Sequence, residues 1–457
     1  MSFIPDLKRL EDFEFFHDEP DPISDVFGYH YFSESLVNAI LKQKDTPFSI
    51  LIHGEWGSGK TSALVRSESN FKELEKNDEN FHVILFEVWK YERVDPVASL
   101  LEEIKNKVIG ENSTRFAEVA KNVGLLLFDM AIRAHTNMTL DDAKKYFEDS
   151  LKGIRNLRKE TEILMENKKL VILFDDLDRC SFETMLELTE AIRLFLSVKG
   201  IICVVAADNN RLRAAWKNKY PSANEIEIDE YFDKIFQLKL ALPSKDLNLM
   251  SNFIAHLDPS YIGDSEKNLI YSSTSNPRKI KQILNLIFYG LKYSKLKEKL
   301  TSEDKIKLYY PVIVAWSIVR ILYPRFGNSI KNDTSSFNEV LDFISIIKEI
   351  EGRHHKSPKK LARIVFNLLG EHTDSDSNHY INIKSSEVSM WTLKSLKIII
   401  EDFDLFLFCY RLIDYFGSSI DFKTARKTMP SGREYLTTIN FIDNEVVDEV
   451  IKQISLF

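Results

Sequence analysis

Residues 54 to 61 read Gly54-Glu55-Trp56-Gly57-Ser58-Gly59-Lys60-Thr61, the GxxxxGK[ST] pattern of a phosphate-binding loop. The pattern constrains the fold because a strand must end, the chain must curl and a helix must begin at once. The apolar run Phe48-Ser49-Ile50-Leu51-Ile52 supplies the strand, and Ser62-Ala63-Leu64-Val65 opens the helix. Glycines let successive backbone N–H groups turn inward onto phosphate oxygens, and the helix N-terminus adds partial positive charge. Gly54, Glu55, Trp56, Gly57, Ser58, Gly59, Lys60, Thr61 and Ser62 are therefore the candidate nucleotide-binding residues. Lys60 is placed to bridge the β- and γ-phosphates, and the Thr61 hydroxyl to ligate magnesium. The expected ligands are ATP and Mg2+.

A triphosphatase needs a second metal-holding element, and Leu170-Val171-Ile172-Leu173-Phe174-Asp175-Asp176-Leu177-Asp178-Arg179-Cys180 has its form. The apolar run reads as a strand buried on both faces and ending in carboxylates. Ligands sit at the carboxyl ends of parallel strands, so Asp175 is expected beside the phosphate loop as a magnesium ligand. Asp176 is the candidate for orienting the attacking water. The alternative is that these acids cap a helix starting near Ser181. A further strand, Ile201 to Ala207, ends at Asp208, which either senses the γ-phosphate or caps a helix begun by Asn209 and Asn210.

These segments, with Phe86-Glu87-Val88-Trp89-Lys90-Tyr91 and Asn276-Pro277-Arg278, resemble the KAP family of P-loop NTPases, within the additional-strand ATPases that include the AAA+ and STAND classes. Pro22-Ile23-Ser24-Asp25-Val26-Phe27-Gly28-Tyr29 resembles the family's lead-in segment, and the likeness spans roughly residues 20 to 295. The resemblance implies that Phe27, Gly28 and Tyr29 sit near the purine, where an aromatic is equally well plain core. It implies that Arg278 reaches back to the nucleotide, or else makes a helix-start ion pair. It also implies a cation supplied in trans, with Arg179 and Lys234 as local candidates. Bacterial relatives suggest a homo-oligomer working with a separately encoded effector in antiviral defence. Two departures stand out. Glu87-Val88-Trp89 replaces the usual Asn-Ala-Trp, which removes any role tied to that Asn. Where many relatives insert transmembrane helices, the apolar stretch Val123 to Phe128 is closed by Asp129 and Arg133, far short of the roughly 20 residues a span requires.

The expected fold is α/β: a three-layer P-loop domain with a five-stranded parallel sheet, a helical insertion, a helical lid and a mainly α C-terminal domain. The boundaries are an N-terminal arm over 1–20, a core over 21–245 with its insertion at about 95–167, a lid over 246–295 and the C-terminal domain over 296–457. In detail, a helix runs from Ser33 to Lys44, strands from Val83 to Phe86 and from Ile235 to Leu242, and a lid helix from Lys279 to Leu291. Asn276 caps that helix and Pro277 suits its first turn. Leu308 to Trp316 is the second membrane candidate, read as a buried helix because Lys307 and Arg320 shorten it.

Asp6, Lys8, Arg9, Glu11 and Asp12 leave no secretory signal at the start, and Cys180, Cys203 and Cys409 lack metal spacing, which fits a cytoplasmic protein. A net charge of -8 argues against a surface built around nucleic-acid phosphate. The basic runs Lys292 to Lys297 and Arg353 to Lys360 read as solvated faces, and Glu371 to His379 as a loop rather than a metal site. No base reader for GTP is visible. Three functions remain open: an ATP-driven switch or assembly platform, a nucleotide-gated scaffold with negligible turnover, and a DNA-associated remodelling ATPase.

Overall fold

The computed structural model describes residues 3–18, 25–43, 46–108, 159, 161–163, 165–195, 198–243, 245–334, 336–338, 340–341, 344, 395, 398–399, 402–419, 424–428, 434–438 and 444–454. Most of the expected insertion, the basic run from Arg353 and the segment Glu371 to His379 lie outside these residues. The chain divides into two compact units, one formed by Glu19–Ser244 and the other by Met1–Asp18 with Lys245–Phe457.

The first unit is built on five parallel strands, β1 (Phe48–His53), β2 (Phe81–Glu87), β3 (Lys169–Asp175), β4 (Ile201–Ala207) and β5 (Leu238–Ala241), in the order β2-β3-β4-β1-β5. Side chains alternate across a strand, so each strand feeds two cores. Ile50, Ile52, Val171, Leu173, Ile202 and Val204 pack with Leu36 and Ile40 of α1 (Tyr29–Lys42) and Leu64 and Phe71 of α2 (Lys60–Glu75). On the other face Leu170, Ile172, Phe174, Cys203 and Val205 meet Leu100 and Ile104 of α3 (Pro96–Val108) and Leu188 and Ile192 of α4 (Phe182–Phe195). Leu212 of α5 (Asn209–Lys219) and Ile228 and Phe232 of α6 (Glu225–Ile235) complete that layer. Burial on both faces is why β3 and β4 read as unbroken apolar runs.

Register brings the site together. His53 pairs with Ala207 and Glu87 with Asp175, so the residues after β1, β3 and β4 emerge at one edge of the sheet. β4 lies between β1 and β3. The expected last strand was too long at its start: Ile235 and Phe236 are the buried end and C-cap of α6, and only Leu238–Ala241 pairs, with β1 alone. Apolar residues that close a helix run here into those that open an edge strand, so composition alone blurs the boundary.

The second unit is mainly helical. Its described helices are α7 (Leu247–Leu257), α8 (Asp264–Ser273), α9 (Pro277–Lys292), α10 (Glu303–Leu322), α11 (Pro324–Asn332), α12 (Phe403–Ser419) and α13 (Asn444–Ile454). α9 buries Ile280, Ile283, Leu284, Ile287 and Leu291, a stripe at helical spacing, and Asn276 caps its start by accepting from Arg278 N at 3.1 Å. α10 is buried continuously from Tyr309 to Val319, the signature of a core helix. Among the described residues no helix is long and apolar enough to cross a membrane. An antiparallel hairpin, β6 (Thr424–Thr428) and β7 (Glu434–Thr438), was not anticipated from the sequence. Its strands are short and polar, and the one sequence signal available was the turn-type composition Pro430-Ser431-Gly432 between them.

The N-terminal segment packs on α9 within this unit. The Phe13 ring meets Tyr261 and Phe288 at centroid distances of 5.3 and 6.0 Å. The Asn285 carboxamide accepts from Phe16 N at 2.8 Å and donates to Phe16 O at 3.0 Å, as a neighbouring strand would.

Candidate nucleotide site

Between β1 and α2 the chain turns through Gly57 and Gly59, whose φ angles of 81° and 93° lie in the left-handed region that favours glycine. A Cβ at Gly59 would stand 2.2 Å from the Tyr29 hydroxyl. That hydroxyl, reaching over from the first residue of α1, donates to Ser58 O at 2.8 Å. Tyr29 is buried, its ring tilted against Phe27, and burial together with Asp25 raises its pKa well above the usual phenol range. Tyr29 thus braces the phosphate loop from below. Gly28 is the left-handed residue that starts α1, and Glu55 and Trp56 are exposed on the loop's outer side.

Lys60 opens α2, and its amine turns back under the loop. Nζ donates to Gly54 O at 2.8 Å and Glu55 O at 3.1 Å and pairs with Asp178 Oδ2 at 3.1 Å. The two side chains are 7% and 6% exposed, so little water screens the pair. Asp178 Oδ2 also accepts from Asp208 N at 3.0 Å. The carboxylate therefore joins the ends of three elements: the loop, the turn after β3 and the start of α5.

Asp175, the last residue of β3, is 2% exposed and accepts a hydrogen bond from the Thr61 side chain. Burial, and secondarily the Asp176 charge, push its carboxyl up to about 6. A divalent cation beside it would offset both effects by favouring the ionised form. Asp176 adopts a left-handed conformation, φ 56°, and pairs with Arg179 Nε at 2.7 Å. The Arg179 guanidinium lies 5.9 Å from the Trp89 ring centroid, within cation–π range. Asp208 caps α5, its carboxylate accepting from Asn210 N at 2.9 Å.

Lys234 stands exposed on α6. Arg278 belongs to the other unit, where it is ion-paired with Asp18 at the start of α9. Asp178 is the residue for which sequence reading assigned no role. The signal was its spacing: residues 177 to 179 form a 3₁₀ turn, and with three residues per turn Asp178 returns to the side of Asp175.

Among the described residues no group of three or more His, Cys, Asp or Glu side chains forms a protein metal cage. Magnesium needs none when one or two protein oxygens and substrate phosphates hold it, and the Thr61–Asp175 pair has the right chemistry.

A parallel sheet with a glycine loop, a buried loop lysine and carboxylates at the end of β3 defines a P-loop NTPase. The chain belongs to the KAP family: the family model described as KAP family P-loop domain matches residues 29–407. Among solved structures, the Aeropyrum pernix ORC2 protein in ADPNP–ADP complexes is similar at TM-score 0.35 and 12% identity, over 99% of this chain and 98% of that one. Drosophila ORC bound to DNA is similar at TM-score 0.37 and 10% identity, over 98% and 90%. The Walker-type ATPase paby2304 of Pyrococcus abyssi is similar at TM-score 0.30 and 11% identity, over 97% and 99%. No match is found among curated proteins.

Proposed function

We propose that the chain is an ATP-hydrolysing molecular switch, acting in the cytoplasm as a homo-oligomer with a separately encoded effector, in bacterial antiviral defence. The observation that carries the enzymatic part is the convergence of the buried Lys60 amine and the Thr61 hydroxyl with the carboxylates after β3. The oligomer, the effector and the defence role rest on the family resemblance. Three buried free cysteines accord with a reducing compartment.

In this reading the loop N–H groups and Lys60 bind and orient the triphosphate of ATP. Magnesium, held by Thr61 and Asp175, would neutralise charge on the phosphate oxygens. Asp176 orients the attacking water once Arg179 moves aside, and Asp208 reports the state of the γ-phosphate through the start of α5. Arg179, or Lys234 on the exposed face of α6, serves a neighbouring protomer's nucleotide, a contribution worth about 10³–10⁵ in rate where an arginine acts as such a finger.

The Asp176–Arg179 pair supports a second reading: a nucleotide-gated scaffold that binds ATP with negligible turnover, its water-orienting carboxylate kept occupied. ATP affinity and hydrolysis of Lys60→Ala and Asp176→Asn separate the two. The switch requires Lys60→Ala to lose affinity by about tenfold or more and Asp176→Asn to keep affinity while losing turnover. Turnover that survives Asp176→Asn contradicts the assigned role.

A further inference from the structure

Asp178 takes no part in the catalytic steps proposed above, yet among the described residues it is the only carboxylate in an ion pair with the loop lysine. An ammonium has three donors. In Lys60 they face Gly54 O, Glu55 O and Asp178 Oδ2. An incoming triphosphate seeks the same amine, and at least one of the three acceptors must yield to it. The two carbonyls are neutral. Asp178 is charged, buried and of the same sign as the phosphate, in a site where charges interact more strongly than in water.

We propose that Asp178 is a positioning residue that competes with the triphosphate for Lys60: it holds the amine under the loop until phosphate oxygens displace it. The released carboxylate stays anchored by Asp208 N–H, so the exchange is felt where β4 passes into α5. Asp178 thereby sets the nucleotide affinity below what the loop alone would give and ties Lys60's change of partner to the residue that starts α5. The inference rests on the reading that the loop binds ATP and adds a competing ligand to it.

Asn is isosteric with Asp, keeps an oxygen for Asp208 N–H, and removes the charge. The test is titration of a fluorescent ATP analogue, with and without magnesium, into the full-length wild type, Asp178→Asn, Lys60→Met and the double variant. Asp178→Asn is expected to tighten binding about five- to tenfold, within the usual range of coupling between sites. In the Lys60→Met background that gain is expected to fall below about twofold, because the competition it relieves has gone. Equal or weaker binding by Asp178→Asn overturns the proposal, as does an undiminished gain in the absence of the lysine. If Asp178→Asn melts well below the wild type, Asp178→Ser is read in the same cycle with the same two criteria. A wild type that binds no analogue overturns the ATP reading, and the present one with it. A wild type that binds while Asp178→Asn fails to tighten overturns only the role of Asp178.

Discussion

The carboxylates after β3 differ sharply although they are near neighbours in sequence. Asp175 is sealed in the strand end, Asp176 is turned out by its left-handed backbone onto Arg179, and Asp178 is returned inward onto Lys60. The raised pKa of Asp175 makes a prediction for the protein free of nucleotide and metal. A carboxyl whose folded pKa exceeds its ordinary value contributes stability below that ordinary value, and the contribution is lost as pH rises through about 6. At pH 8 the buried charge therefore opposes folding, and Asp175→Asn should stabilise by about 2–3 kcal/mol. The gain should vanish below about pH 4, where the wild-type carboxyl is protonated in both states. Thermal melts across pH in the presence of a chelator measure it. A variant that is less stable than the wild type at pH 8 contradicts the assigned environment of Asp175.

At the scale of elements, the phosphate loop is held open by backbone geometry and by a contact from α1. Gly59→Ala combines a left-handed φ, costing about 1–2 kcal/mol for an L-residue, with a clash against the Tyr29 hydroxyl. It is expected to weaken ATP binding by about tenfold or more while leaving the far-ultraviolet circular dichroism unchanged, and wild-type affinity would refute the brace. What was legible in the sequence follows the same physics. β1, β3 and β4 were readable because a strand buried on both faces is an apolar run punctuated by its functional turn. β5 was readable only in part, because an edge strand of four residues follows directly on a buried helix end. The loop and the carboxylates were visible as motifs. The brace by Tyr29 was not, since a contact between residues 29 apart leaves no local pattern. Nor was the Lys60–Asp178 pair, which depends on a 3₁₀ turn after β3. The β6–β7 hairpin was missed because its short, polar strands carry little alternation.

At the scale of the molecule, a nucleotide-binding unit is joined in one chain to a mainly helical unit that takes up the N-terminal segment. Phe13, Phe15 and Phe16 of the N-terminal arm find their partners on α9 and its neighbours, which gives the arm a structural occupation. The same helix presents Lys281 and Lys292 to backbone carbonyls of that arm, so part of its basic character serves internal packing. A cation supplied by a neighbouring protomer, as proposed, makes turnover a property of the assembly rather than of the single chain. The most direct measurement is magnesium-dependent ATP hydrolysis per protomer across a protein-concentration series, with ATP affinity determined on the same material. An oligomeric switch gives specific activity that rises with concentration at saturating ATP. Bound ATP with no turnover at any concentration contradicts the switch and leaves the scaffold.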